Sequence, residues 1–188
     1  VLFRSSGDAL VVDLGLGIIK AMFYHQTSES VYIVSEDGSA DLLRVSTLAT
    51  DGLELNGTAG YPVQLAYGTF QDAAMSQQYL FVAHGNDDIS SLLPGSTGAT
   101  INLIPTIPMT IEGITPSING AYCADSGGML AEYYPSSQQF TILMSDVGSL
   151  TSVAVSTAVD DEWMMLGADN VRIFDMTGGV LDSSGPSQ

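Results

Sequence analysis

Positive charge is nearly absent from this chain: 4 Lys and Arg residues stand against 21 Asp and Glu in 188 residues, a formal net charge of −17 at pH 7. Arg4, Lys20, Arg44 and Arg172 are scattered singly. Binding to phosphates requires clustered cations that displace condensed counterions, so the sequence argues against a nucleic-acid partner. An anionic membrane surface is disfavoured for the same reason. Cysteine is equally scarce: Cys123 stands alone and has no intrachain disulfide partner. Long apolar runs are missing too. The richest early stretch, "LVVDLGLGII", is broken by Asp13 and two glycines, far short of the roughly 20 apolar residues of a spanning helix. There is no Walker A pattern, no G-x-S-x-G elbow and no CxxC pair.

What is present points to a packed β protein. Hydrophobic residues make up 45% and charged residues 13%, with a mean hydropathy of +0.25, enough apolar side chain for a substantial core. The 20 glycines, with abundant Ser and Thr, suit short strands joined by tight turns better than a helical bundle. The length fits one ordinary domain or two very small ones. The acidic balance keeps such a surface soluble and also attracts cations or a basic partner.

The chain repeats itself. Four apolar runs, "VYIV" (31–34), "YLFVA" (79–83), "AYCA" (121–124) and "WMML" (163–166), are each followed by a polar turn: "SEDGS", "HGND", "DSGG" and "GADN". A second run follows each turn: "ADLLRV", "DISSLL", "MLAEYY" and "VRIFD". The spacings between units, counted from Val31, Tyr79, Ala121 and Trp163, are 48, 42 and 42 residues. A period in the low forties with two paired strands per unit predicts a row of small repeated sheets. The first run of each pair is apolar on both faces, as a strand with protein on either side must be. The second mixes in exposed polar residues such as Arg44 and Arg172. The segments "IIKAMFY", "PVQLAY", "TIEGI" and "LTSVAVS" are the predicted strands upstream of each pair, with "DGLEL" and "GGVLD" as a fourth strand.

Four-stranded units of this length, stacked face to face around an axis, describe a β-propeller. The segment "LTSVAVSTAVDDEWMMLGADNVRIFDMTGG" resembles one blade of the WD40-like, YVTN-like and NHL-like propeller repeats. Thr97-Gly98 and Thr177-Gly178 occupy the place of the dipeptide that such repeats carry after their third strand. Departures are plain: "FD" stands where a WD40 repeat often has Trp-Asp, and no Gly-His pair precedes it. The resemblance therefore implies fold more than family. The fold expectation is all-β, a partial propeller of about four four-stranded blades with a period near 42 residues, the alternative being a β-sandwich.

Residues 1–5, "VLFRS", match the translation of GTG-CTC-TTC-CGA-TCT, the end of a sequencing adapter, and read as a processing scar on a metagenomic fragment, the alternative being a genuine segment from inside a longer chain. Residues 6–17 then end a preceding blade, 18–182 hold about four blades, and 183–188 are a linker or truncated tail.

Aligning the repeats puts Ser35, His84, Asp125 and Gly167 in one column, just after the first run of each pair. The candidate binding rim is the set of turns around Asp37, His84, Asp87, Asp125 and Asp169. Carboxylates on one rim attract a basic partner or a divalent cation such as Ca²⁺, and His84 adds a group titrating near neutrality. The competing reading is turn geometry alone, which favours Asp, Asn and Gly at hairpin tips. His25 reads as a solvated strand end and Cys123 as a buried, inert thiol. Asp160-Asp161-Glu162 reads as a solvated turn, and "NGT" (56–58) as a turn before a glycosylation sequon. The functional expectation is a rigid binding platform with an unknown protein or small ligand and no membrane span. The alternatives are a fragment of a propeller hydrolase, lactonase-like or metal-assisted, and a structural component of a virion or cell surface.

Overall fold

The computed structural model describes residues 2–4, 10–12, 15–37, 42–49, 55, 60–67, 69–84, 88–95, 102–103, 109–145, 152–158, 161–167 and 171–175. Every regular element among them is a β-strand, and every pairing is antiparallel. No helix among the described residues is long and apolar enough to cross a membrane.

Strands β1 (Leu2–Arg4) and β2 (Leu10–Val12) form a two-stranded sheet. The chain then makes a run of up-and-down meanders. The first joins β3 (Ile18–His25), β4 (Ser30–Asp37), β5 (Leu42–Ala49) and β6 (Val63–Tyr67) in that order. The second joins β7 (Phe70–Met75), β8 (Leu80–His84), β9 (Asp88–Leu92) and β10 (Asn102–Leu103). The third joins β11 (Ile111–Pro116), β12 (Ala121–Asp125), β13 (Leu130–Tyr134) and β14 (Gln139–Met144). The fourth has three described strands, β15 (Ser152–Ala158), β16 (Asp161–Gly167) and β17 (Val171–Asp175).

Backbone register gives the four meanders one common column. Ser35 pairs with Ile19, His84 with Phe70, Asp125 with Ile111 and Gly167 with Ser152, so the column read from the sequence is a column in the sheets. Each of the first three meanders then carries one extra residue in its first strand, at Lys20, Gln71 and Glu112, immediately after that pair. A bulge recurring at one register position is a built feature that bends the strand in the same way each time.

Alternation along the second strands explains the packing. Tyr32 and Val34 of β4 meet Leu80 and Val82 of β8 in one buried cluster, with Leu43, Val45 and Leu92 around them. Phe81 and Ala83, pointing to the opposite face of β8, meet Ala121 and Cys123 of β12 in a second cluster with Ile111, Ile114 and Tyr133. All five residues of β8 are buried, and so are all five of β12. A strand with protein on both faces has no polar side to spare, which is why these runs read as continuously apolar. Each large side chain sealed this way contributes about 1.5–3 kcal/mol relative to exposure. Outside this pattern Arg44 is exposed between fully buried Leu43 and Val45, as the mixed character of "LLRV" requires.

The first strands stand side by side: β7 packs against β3, β11 against β7, and β15 against β11. Asp72 ties two of them together. Its Oδ2 accepts the backbone N–H of Ile114 at 2.9 Å, while Oδ1 accepts that of Ala73 at 2.9 Å. At the other ends of the first strands, Thr27 Oγ1, in the β3–β4 turn, donates to Gln77 Oε1, in the β7–β8 turn, at 3.3 Å. Neighbouring meanders therefore run in the same sense, with like ends together.

Two strand expectations are corrected. "PVQLAY" is not the start of the second meander; Val63–Tyr67 closes the first one, pairing with β5, and the second starts at Phe70–Met75. "FQDAAM" carries little strand signal because Gln71 and Asp72 interrupt its apolar pattern, yet the bulge lodges one of them and the Ile114 amide satisfies the other. Of "DGLEL" only Leu55 is described, in an isolated bridge to Leu48; the rest lies outside the described residues. The outer strands β10 and β14 are additional to the strands expected from the sequence. "GGVLD", Thr97-Gly98 and Thr177-Gly178 lie outside the described residues.

Candidate functional site

Strands β8, β12 and β16 end at one register column, at His84, Asp125 and Gly167, while β4 runs two residues past it to Asp37; these are the strand ends where the predicted rim residues belong. Asp37 is the last residue of β4 and pairs with Leu42 across the turn. Asp87 and Asp169 lie outside the described residues. The structure describes side chains for His84 and Asp125, and both are turned to internal work.

Asp125 is 8% exposed and organises its own hairpin. Its Oδ1 accepts the Met129 N–H at 2.7 Å, its backbone N–H donates to Met129 O at 3.0 Å, and its carbonyl accepts the Gly128 N–H at 3.2 Å. Gly128 supplies a φ of +87°, a conformation that costs a side-chain-bearing residue steric strain. This is the turn chemistry that competes with a site at such positions.

His84 corrects the rim expectation. It is fully buried, with Nε2 2.8 Å from the hydroxyl of Ser90, itself 1% exposed. Nδ1 has no hydrogen-bond partner among the described residues. Burial disfavours the imidazolium, which pushes its pKa down from 6.5 to about 4. The folded His84 therefore carries no charge at neutral pH, and a change in ligand binding near neutrality does not come from its titration. The His84–Ser90 pair has the separation of a nucleophile and its base, but a base poised near pH 4 and sealed from solvent is poorly matched to proton abstraction from an incoming substrate. The sequence read His84 as exposed because it follows an apolar run; β8 is covered on both faces to its last residue.

His25 is corrected as well. It is 3% exposed, and its Nε2–H donates to the carbonyl of Gln77 at 3.1 Å, in the next meander's turn. That acceptor leaves Nδ1 free to take the Ser28 N–H at 3.2 Å and to meet the Ser28 hydroxyl at 2.8 Å. Tyr32 continues the knot: its ring meets His25 edge-on at 5.9 Å, and its hydroxyl accepts the Gly95 N–H at 2.7 Å. Histidine, serine and tyrosine here join two sheets.

Glu132 shows the same economy in the third meander. At 9% exposure it accepts from the Ser117 hydroxyl at 2.7 Å and from the hydroxyl of Tyr134, with Ser117 Oγ in turn accepting the Gly120 N–H at 2.9 Å. The carboxylate beside it holds the Tyr134 phenol above its usual range. Burial raises the pKa of Asp72, and its two backbone hydrogen bonds oppose that rise. Cys123 is fully buried and burial pushes its thiol well up, the inert behaviour the sequence predicts. No group of three His, Cys, Asp or Glu residues among the described residues is arranged to hold a metal.

No protein-family model matches the chain, and no curated protein matches it. Solved structures do share its fold. Hydrazine synthase from Kuenenia stuttgartiensis superimposes with a TM-score of 0.63 at 14% identity, over 95% of this chain and 51% of that one. The computationally designed Ika4 protein superimposes with a TM-score of 0.58 at 11% identity, over 85% of this chain and 91% of that one. The chain spans about half the length of the hydrazine synthase chain it matches. At these identities the likeness is one of fold alone.

Proposed function

We propose that the chain is an arc of a β-propeller, built from WD40-like, YVTN-like or NHL-like blades, and that it serves as a rigid binding platform. The supporting observation is the register column: successive meanders run in the same sense and their first strands stand in a row. A β-sandwich offers no reason for every meander to present its first strand to the next one's first strand. Rigid sheets hold their turns in fixed relation, which lowers the ordering cost of binding.

The binding surface in this reading is the end carrying the turns of Asp37, Asp87, Asp125 and Asp169, and its ligand is a basic protein segment or a divalent cation. His84 takes no part in it. Asp125 contributes charge while its Oδ1 holds the turn, so asparagine at that position keeps the acceptor and removes only the charge.

Isothermal titration of the chain with Ca²⁺ and with a basic peptide panel tests this. The wild type should bind one of them, more weakly as salt rises, and the Asp87→Asn, Asp125→Asn double variant should bind less. Equal binding by both forms, or none by either, assigns these carboxylates to turn geometry alone.

A further inference from the structure

Two turns of the same build use a serine hydroxyl differently. The β7–β8 and β11–β12 turns each span four residues between their closing strand pairs, Met75–Leu80 and Pro116–Ala121. The first residue of both is serine. Its N–H donates to the carbonyl of the fourth residue, at 2.8 Å from Ser76 to Tyr79 and 2.9 Å from Ser117 to Gly120. Its Oγ accepts that fourth residue's N–H, at 2.9 Å in both turns. In the second meander the circuit closes on itself, because Ser76 Oγ donates to the Tyr79 carbonyl at 3.3 Å. In the third it opens inward: Ser117 Oγ donates to Glu132 Oε1 at 2.7 Å. Glu132 is buried and takes a second donor, the Tyr134 hydroxyl, on Oε2.

The Gly120 amide therefore rests on a hydroxyl polarised by a carboxylate, an arrangement that helps a weak acid part with its proton. Asn119, exposed in the turn, immediately precedes it. A Cβ at Gly120 would collide with the Tyr133 carbonyl, so the position holds glycine and its nitrogen has no side chain beside it. The β7–β8 turn carries Gln78 and Tyr79 at the same two places. Ring closure from Gln78 would have to span one more methylene, and Tyr79 carries a Cβ next to its nitrogen.

We propose that Asn119 is a self-modification site: the folded turn converts it to aspartate and isoaspartate through a succinimide, with Ser117 and Glu132 drawing the proton from the Gly120 nitrogen. The nitrogen's lone pair forms a bond to Asn119 Cγ, its proton passes to Ser117 Oγ, and the Ser117 hydroxyl proton passes to Glu132. The Cγ–Nδ2 bond then breaks, and Nδ2 regains the relayed proton as it leaves as ammonia. Water adds to either carbonyl of the succinimide and opens it to aspartate or isoaspartate. Each event consumes one water, releases one ammonia, needs no oxidant or reductant, and places a new carboxylate on an exposed turn. The site lies at the end of β12 away from Asp125, so it stands apart from the acidic turns and from any ligand they hold.

Incubating the folded protein in water enriched in heavy oxygen, then mapping its peptides by mass spectrometry, tests this, since the label marks conversion during the incubation. The wild type should accumulate labelled aspartate and isoaspartate at position 119 while Gln78 stays intact. Ser117→Ala and Glu132→Gln, with circular dichroism matching the wild type, should each slow conversion at least about tenfold, within the hundredfold or more that a positioned base typically supplies. Asn56–Gly57, the same dipeptide elsewhere in the chain, should react at the same rate in all three proteins. One comparison needs no substitution: in urea at the same pH, where the fold no longer holds Glu132 against Ser117, Asn119 of the wild type should react more slowly than in the folded chain. A folded wild type that keeps Asn119 intact overturns the proposal. So does folded conversion no faster than unfolded, or conversion in the two variants as fast as in the wild type or faster.

Discussion

Burying an imidazole beside a single hydroxyl stores a pH dependence at one residue. His84 titrates near 6.5 when unfolded and about 4 when folded. Above the unfolded value both states are neutral and the group costs nothing. As pH falls from 6.5, the unfolded chain takes up a proton that the folded one refuses, and the fold loses stability until its own imidazole titrates near pH 4. The depressed value corresponds to roughly 3 kcal/mol over that window. Urea unfolding at a series of pH values should show this slope, and a His84→Phe, Ser90→Ala variant, which removes both polar partners, should flatten it. An equal slope in both proteins would assign the acid response to the carboxylates. Little of this was legible in the sequence. A histidine after "YLFVA" and before "GND" reads as a hairpin tip, and only the sheets packed on both faces of β8 show that its ring is inside.

At the scale of strands and hairpins, legibility followed how many neighbours a strand has. The second strands announce themselves because both faces are buried, and "VYIV", "AYCA" and all of "YLFVA" but its Tyr79 lie within elements that the structure places at the centre of their sheets. First and outer strands carry weaker signals. The inner edge of β7 keeps Gln71 at a bulge and Asp72 on a neighbour's amide, while β14 leaves Ile142 half exposed. Hairpins add a constraint no pattern reveals. A Cβ on Gly120 would sit 1.8 Å from the carbonyl oxygen of Tyr133 and 3.0 Å from Pro135 Cδ, so the β11–β12 turn admits no side chain there without moving backbone. Gly127, in the next hairpin, has only the Asp125 carboxylate at 3.4 Å. Gly120→Ala should therefore destabilise the protein by about 2 kcal/mol or more, while Gly127→Ala stays within about 0.5 kcal/mol of wild type. Chemical denaturation midpoints compare the two directly, and equal losses would mean that the β11–β12 turn relaxes at little cost.

For the whole molecule, the repeat period and the acidity were both readable from composition and spacing, and the column of Ser35, His84, Asp125 and Gly167 carries over from letters to backbone register. The period could not reveal which of those columns face solvent, because burial depends on the neighbouring sheet and not on the unit itself. The surplus of 21 acidic over 4 basic residues then acts on the assembled fold as self-repulsion. Folding concentrates that charge into a smaller volume, so screening should stabilise the native state. The melting temperature should rise with added sodium chloride most steeply below about 0.1 M, where the Debye length shrinks through roughly 10 Å, and then level off. Sodium sulfate compared at equal ionic strength separates screening from preferential exclusion, since only the latter continues to raise the transition at high concentration. The same titration gives two opposite signs: folding stabilised, and cation or basic-peptide binding at the acidic turns weakened. Screening by a common electrolyte produces that combination only if the first is limited by like-charge repulsion and the second is driven by opposite-charge attraction. A melting temperature insensitive to low salt would mean that the carboxylates are already far enough apart, or sufficiently paired as Glu36 is with Lys20 at 2.7 Å, for net charge to leave the fold unaffected.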